Sequence, residues 1–515
     1  MLRLTDLPSE LLSSIFGHLS GKEQHALTTT CHVFHTLATS HLYRNIKFTA
    51  TKSRSCARKL ALLLRTLLER PRLSPKVTAF ALSGPQQCWE KYDPWPENNE
   101  RKTIVKLWGF DKTTQTQSLL TPAMFHHFMD DDMQINQAEL RGRSKDALAT
   151  LIMTRLMNLH TLELGDGFLR HSIFLPQILK RTDYLFPDLE RVVLGDRRRD
   201  RDSTVSYTDL SLIRPVFYSS TIKSFECTMT QPWKFCWTET TAPWNTNLTT
   251  LRLFRTNIDR STLRQLLSAV PYLKSFHHEQ EIAFNESTPT APSLAPYLEL
   301  DGLNSALACV RHSLEECQLV LRLAPGSIPA SQVVSSGIRF PAIEGTLSIL
   351  KDMPRLKKVE VPMIMLFGWS PRPSVKLEQL LSPHITELTL RDDLVPYCYW
   401  SRPSSRERRI ARIGRYIADR ATHAPKLRML KVRLTGGKEC LRDAVQELSM
   451  RTDDKDVQSM IVRGTKSETY CWRFEKAKAV ASRPELGERV DSVLREDDCV
   501  RPEREFFTKL SRLGV

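Results

Sequence analysis

One short pattern recurs along most of this chain: an apolar residue followed three and five positions later by two more. It appears as VTAFAL at Val77, LHTLEL at Leu159, LERVVL at Leu189, IKSFEC at Ile222 and LTTLRL at Leu248. It continues as LKSFHH at Leu273, LEECQL at Leu314, LKKVEV at Leu356, ITELTL at Ile385 and LRMLKV at Leu427. From Leu159 onward the starts lie 30, 33, 26, 25, 41, 42, 29 and 42 residues apart. The last two apolar positions alternate as they do in a strand with one buried face. In six copies a proline stands two positions before the first apolar residue (Pro75, Pro187, Pro271, Pro354, Pro383, Pro425). There its ring ends a helix and sends the chain into an extended segment. Helical patterns lead toward several copies: CARKLALLLRTLLER, KDALATLIMTRL, STLRQLLSAV, IEGTLSILKDM and RRIARIGRYIADR.

A unit of helix, turn and short strand cannot bury its apolar face alone, whereas units stacked side by side bury one continuous core. The expected fold class is therefore α/β: a solenoid of helix-turn-strand repeats, parallel strands on its concave side, over residues 49–434. A single buried parallel sheet is the alternative, and connections this short favour the solenoid. Residues 85–144, with CWEKYDPWPENNERK, read as an insertion after the first template strand. Residues 435–515 are charged and weakly helical, a C-terminal cap or tail of the kind an open array requires.

The first 48 residues follow a different rule. Leu11, Leu12, Ile15, Phe16 and Leu19 recur at helical spacing after Pro8, which suits a first helical position. Ser20 and Glu23 have the spacing of a capping box, opening a second helix with Ala26 and Leu27. Val33, Phe34, Leu37, Ala38 and Leu42 stripe a third. So few residues cannot bury so many apolar side chains among themselves, and a protein partner is the natural completion.

These residues resemble an F-box: LPSELLSSIFGHL, then Cys31, Phe34, Leu37-Ala38 and Leu42-Tyr43 at these intervals, over about residues 4 to 48. The resemblance implies docking onto the Skp adaptor of an SCF-type cullin-RING ubiquitin ligase, and through it onto the cullin and RING subunits. The residues it assigns to Skp binding are Leu7, Pro8, Leu11, Leu12, Ile15, Phe16, Leu19, Leu27, Cys31, Phe34, Leu37 and Leu42. Two positions depart from the family pattern: Gln24 stands where leucine is usual, and Thr30 where valine is usual. The repeats in turn look like degenerate leucine-rich repeats, and the arrangement resembles the F-box proteins of fungi. Several spacings exceed the roughly 20–29 residues of regular repeats of that kind.

Composition narrows the function classes. No run of this 515-residue sequence reaches the roughly 18 apolar residues a membrane helix requires, so no membrane partner is expected. Eleven scattered cysteines without a CxxC pair suit reduced thiols in cytoplasm or nucleus. GxSxG, GxxxxGK and HExxH are all absent, and neither His32 with His35 nor His126-His127 with Asp130-Asp131-Asp132 forms a recognised ligand pattern. No catalytic residue, metal or cofactor is expected. The formal charge of +16 is compatible with nucleic acid or acidic protein partners. Its densest runs, GDRRRDRD at Gly195 and RERRIARIGRY at Arg406, read better as solvated surface, the second with Ile410, Ile413 and Ile417 opposite its arginines.

The sequence thus points to a non-catalytic substrate adaptor, its F-box holding the ligase and its repeats an unidentified target protein. The competing readings are a scaffold whose F-box serves assembly without ubiquitin transfer and a basic nucleic-acid-binding solenoid. For the target surface, most tryptophans follow a strand and precede the next helix pattern, which would gather them along one rim. The candidates there are Trp233, Lys234, Trp237, Tyr397, Trp400 and Arg402, because aromatic and basic residues dominate binding energy at interfaces.

Overall fold

The computed structural model describes residues 4–50, 53–89, 145–170, 172–195, 210–232, 234–237, 242–282, 298–323, 343–369, 376–395, 403–434, 457–463 and 468–474. The expected insertion therefore lies almost wholly outside the described residues. The chain divides into two compact units, the first comprising residues 1–200, 208–228 and 234–248 and the second residues 201–207, 229–233 and 249–515.

The first unit opens with three helices, α1 (Ser9–Gly17), α2 (Gly21–Leu27) and α3 (His32–Arg44). It continues into five parallel strands: β1 (Asn45–Thr49), β2 (Ala79–Ser83), β3 (Thr161–Leu164), β4 (Arg191–Leu194) and β5 (Ser224–Thr228), neighbours in chain order. Helix α4 (Ser53–Glu69) packs Leu60, Leu64 and Leu67 inward at helical spacing and rests against the helix Lys145–Met153. Apolar residues at that period give a helix one stripe it must bury.

The second unit carries β6 (Thr250–Thr256), β7 (Ser275–Ile282), β8 (Leu298–Glu299), β9 (Glu316–Leu323) and β10 (Ile343–Glu344). There follow β11 (Lys358–Pro362), β12 (Glu387–Arg391), β13 (Met429–Leu434), β14 (Val457–Arg463) and β15 (Glu468–Phe474). Its sheet runs β6-β7-β9-β11-β12-β13-β15-β14, parallel as far as β13 and antiparallel beyond it. The short strands β8 and β10 pair with each other. The pairing of β6 with β7 shifts after Leu253, where Arg255 takes a left-handed φ of 49°.

Each copy of the recurrent pattern is a strand with its lead-in, and the pattern's apolar positions are the buried ones. Leu159, Leu162 and Leu164 are fully or almost fully buried, as are Leu356, Val359 and Val361. One copy departs: His278 takes an inward place held in the other copies by Leu, Val or Cys. Its Nε2 lies 3.0 Å from Gln280 Oε1, and burial, reinforced by Arg260, pushes its pKa down to about 3, so the ring sits in the core neutral.

Three expectations are corrected. IEGTLSILKDM is not an α-helix but β10 followed by a single 3-10 turn, Ile349–Asp352. Gly345 interrupts it with φ 84°, a conformation that takes the backbone out of a right-handed helix. The weakly helical pattern after residue 434 is realised, over the described residues, as the antiparallel pair β14 and β15, with Trp472 fully buried. And Val33 is 47% exposed, beside the buried stripe of α3 rather than in it.

Candidate functional site

The N-terminal helices are held by a small core of Leu12, Phe16, Phe34 and Ala38, with Leu7, Leu19, Leu27 and Leu37 packed half-buried around it. Phe16 and Phe34 meet edge to face at 5.4 Å. Helices α1 and α2 both pack on α3. Polar pins lock the arrangement. Ser13 Oγ lies 2.9 Å from His41 Nε2, joining α1 to α3, and burial, with Arg44 adding to it, lowers the His41 pKa. The expected capping box is formed: the Ser20 backbone N–H donates to Glu23 Oε2 at 2.7 Å and the Glu23 N–H to Ser20 Oγ at 3.4 Å. The Ser20 hydroxyl, which also donates to Glu23 Oε2 at 2.7 Å, and then the Ser20 N–H hold the Glu23 carboxyl below its usual range.

Of the twelve residues assigned to docking, Leu12, Phe16 and Phe34 form the interior and cannot touch a partner as the domain stands. Leu7, Leu19, Leu27, Leu37 and Leu42 are half-buried. Pro8, Leu11, Ile15 and Cys31 are exposed, with Leu11 at 53% and Ile15 at 40%. Leu11 and Ile15 are one turn apart, so α1 shows water an apolar edge its own core does not use. Sequence reasoning missed two further exposed apolar side chains, Leu4 at 49% and Val33. The signal for Val33 was its place one residue ahead of the Phe34, Leu37, Ala38 stripe, which puts it on the flank of the helix.

The two departures from the family pattern have local partners. Gln24 Nε2 donates to the carbonyls of Phe16 at 2.9 Å and Leu19 at 3.1 Å, at the end of α1. Thr30 Oγ1 donates to Leu27 O at 2.8 Å, and Thr28 and Thr29 make the corresponding bonds to His25 and Ala26. Each adds a side-chain donor at a helix end, where the Phe16, His25, Ala26 and Leu27 carbonyls also accept the backbone N–H groups of Leu19, Thr28, Thr29 and Thr30.

The domain is joined directly to the parallel strands. Its last strand, β1, pairs in register with β2, and the Arg44 carbonyl at the end of α3 accepts the Thr78 N–H at 2.9 Å. Lys76 Nζ donates to Ser40 Oγ of α3 at 2.9 Å. A boundary at residue 48 therefore cuts through a strand that belongs to the sheet.

Among the candidate target residues, Trp233, Tyr397, Trp400 and Arg402 lie outside the described residues. Lys234 is exposed, and Trp237 is half-buried among Phe217, Tyr218 and Phe235, its ring centroid 5.0 to 6.2 Å from theirs. The other described tryptophans do not share one environment. Trp89 is buried against Phe48 and Phe168, Trp369 is 9% exposed, and Trp244 is 68% exposed. Among the described residues no three His, Cys, Asp or Glu side chains are grouped to hold a metal ion. No described helix is long and apolar enough to cross a membrane.

The sequence of these three helices has a match among known families. The F-box-like family model matches residues 4–49. That span runs from the start of the described chain through α1, α2, α3 and β1. F-box domains generally bind Skp-type adaptors, and their presence suggests a substrate-recognition role in SCF-type ligases. No curated protein sequence matches the chain.

Proposed function

We propose that this protein is a substrate-recognition adaptor of an SCF-type cullin-RING ubiquitin ligase. The F-box helices hold the Skp adaptor, and the helix-and-strand units, degenerate leucine-rich repeats in this reading, hold a target protein. The chain itself performs no chemistry; it brings target lysines near a ubiquitin-charged enzyme, so that transfer gains from proximity. The observation that carries the reading is the exposed apolar edge of α1, Leu11 and Ile15, within a segment matched by the F-box-like family model.

The join between helices and strands supports it. Proximity is effective only where the linked parts keep a fixed spacing. Here the docking helices run without a linker into β1, which is hydrogen-bonded to β2, while Lys76 ties the lead-in of β2 back to α3. Within the first unit the docking helices and the strands are thus hydrogen-bonded to one another with no linker between them.

Purification of the tagged chain under proteasome inhibition tests the proposal. Skp adaptor, cullin and RING subunits should be recovered together, with ubiquitin-modified protein enriched. Recovery of the Skp adaptor without cullin would instead favour the scaffold reading, and recovery of neither would refute both.

A further inference from the structure

One of the two residues that depart from the family pattern also joins the two shorter docking helices. Gln24 belongs to α2, yet both its hydrogen bonds go to the end of α1: Nε2 to Phe16 O at 2.9 Å and to Leu19 O at 3.1 Å. An amide NH2 has two hydrogens to donate, and both are used. Phe16 sits at the centre of the domain core, fully buried, one residue beyond the exposed Ile15. A donor on the Phe16 carbonyl thus holds the turn of α1 from which Ile15 projects. Leucine at this place could pack there but could not reach these carbonyls with a donor.

We infer that Gln24 is a positioning residue for adaptor docking: its side-chain amide fixes the end of α1 against α2, setting the orientation in which Leu11 and Ile15 meet the Skp adaptor. The assignment rests on the docking reading above. Gln24 acts through a directional bond rather than through apolar packing. A directional bond fixes an angle, and an angular error at the end of α1 displaces the side chains that dock.

The test compares binding of purified Skp adaptor to the full chain carrying Gln24→Glu, Gln24→Lys or no change, by calorimetry, with amide hydrogen exchange of α3 followed in each. Gln24→Glu keeps the shape and, ionised, turns two donors into acceptors facing two carbonyls; affinity should fall about tenfold or more. Gln24→Lys restores a donor on a flexible stem and should recover most of the loss. Exchange protection in α3 should stay at the unsubstituted level throughout, because its core of Phe34 and Ala38 is untouched. Equal affinity for Gln24→Glu and the unsubstituted chain would overturn the inference. So would loss of α3 protection in step with affinity, which would make Gln24 a folding residue, and so would failure of Gln24→Lys to recover binding. If the unsubstituted chain does not bind the Skp adaptor at all, the docking proposal itself fails.

Discussion

Replacing Leu11 and Ile15 together by alanine separates docking from folding. The two side chains are 53% and 40% exposed in the free chain, so that fraction of their surface is what an interface can still remove from water. Full burial of a leucine or isoleucine contributes about 1.5–3 kcal/mol, and the exposed fractions together leave about 1.5–3 kcal/mol for the partner to recover. The dissociation constant of the Skp-adaptor complex should rise by about ten- to a hundredfold. Aspartate at both places should abolish binding, since an interface would then enclose two charges without partners. The parallel control is Leu12→Ala: Leu12 is 1% exposed, so this change opens a cavity and costs about 2–5 kcal/mol of stability. Calorimetric titration with purified adaptor and thermal melting of each variant read the two effects. A double alanine variant that binds within about twofold of the unsubstituted chain would refute the assignment of α1's outer edge as the docking surface.

Other consequences can be measured separately. Purified chain mixed with ubiquitin-charged carrier enzyme, but without cullin or RING subunit, is expected to form no conjugates; conjugation abolished by a single Cys→Ala change would reveal a covalent activity instead. His41, its pKa lowered by burial and by Arg44, favours the folded chain in its neutral form, a contribution fully present above about pH 6.5 and lost as pH falls through its lower folded value. His41→Gln should therefore flatten part of the decline in melting temperature between neutral and mildly acidic pH, and parallel curves for the two proteins would disprove it. Arg391→Ala should destabilise the second unit by about 3 kcal/mol in urea unfolding, because it strips a buried ion-pair partner from Glu360 and Asp393. A loss within error of an exposed lysine substitution would show that the network contributes little.

What could be read from the sequence was whatever a period encodes. The strand pattern was legible because each copy places three residues on the inward side of a turn and strand, and inward residues must be apolar. The capping box was legible because its two bonds need a fixed spacing. Strand β1 was not: NIKFT offers only Ile46 and Phe48, follows a helix without a proline, and is half-buried where later strands are sealed. Val33 was misplaced because apolar type alone does not tell the flank of a stripe from its centre. Gln24 was visible only as a deviation; its role depends on where the carbonyls of α1 end, which no spacing rule specifies. The tryptophans show the same limit: type and position after a strand are shared by Trp89, Trp237 and Trp244, while burial differs among them. Position along the chain does not fix whether a neighbouring loop lies over an indole.

The charges that alternate along the strands bear on the nucleic-acid reading. Arg191 lies between Glu163 at 3.4 Å and Glu226 at 3.1 Å, the second carboxylate being buried. In the other unit Lys358 meets Glu316 at 3.0 Å across paired strands, and Arg391 binds both Glu360 and Asp393. Except for Asp393, two residues beyond Arg391 in the same segment, register places the partners opposite or diagonally across neighbouring strands, where opposite charges attract. The cations are thus neutralised within the sheet that carries them. A phosphate backbone gains affinity by displacing mobile counterions from unpaired cations. Here it would have to break protein ion pairs and then face the carboxylates left behind.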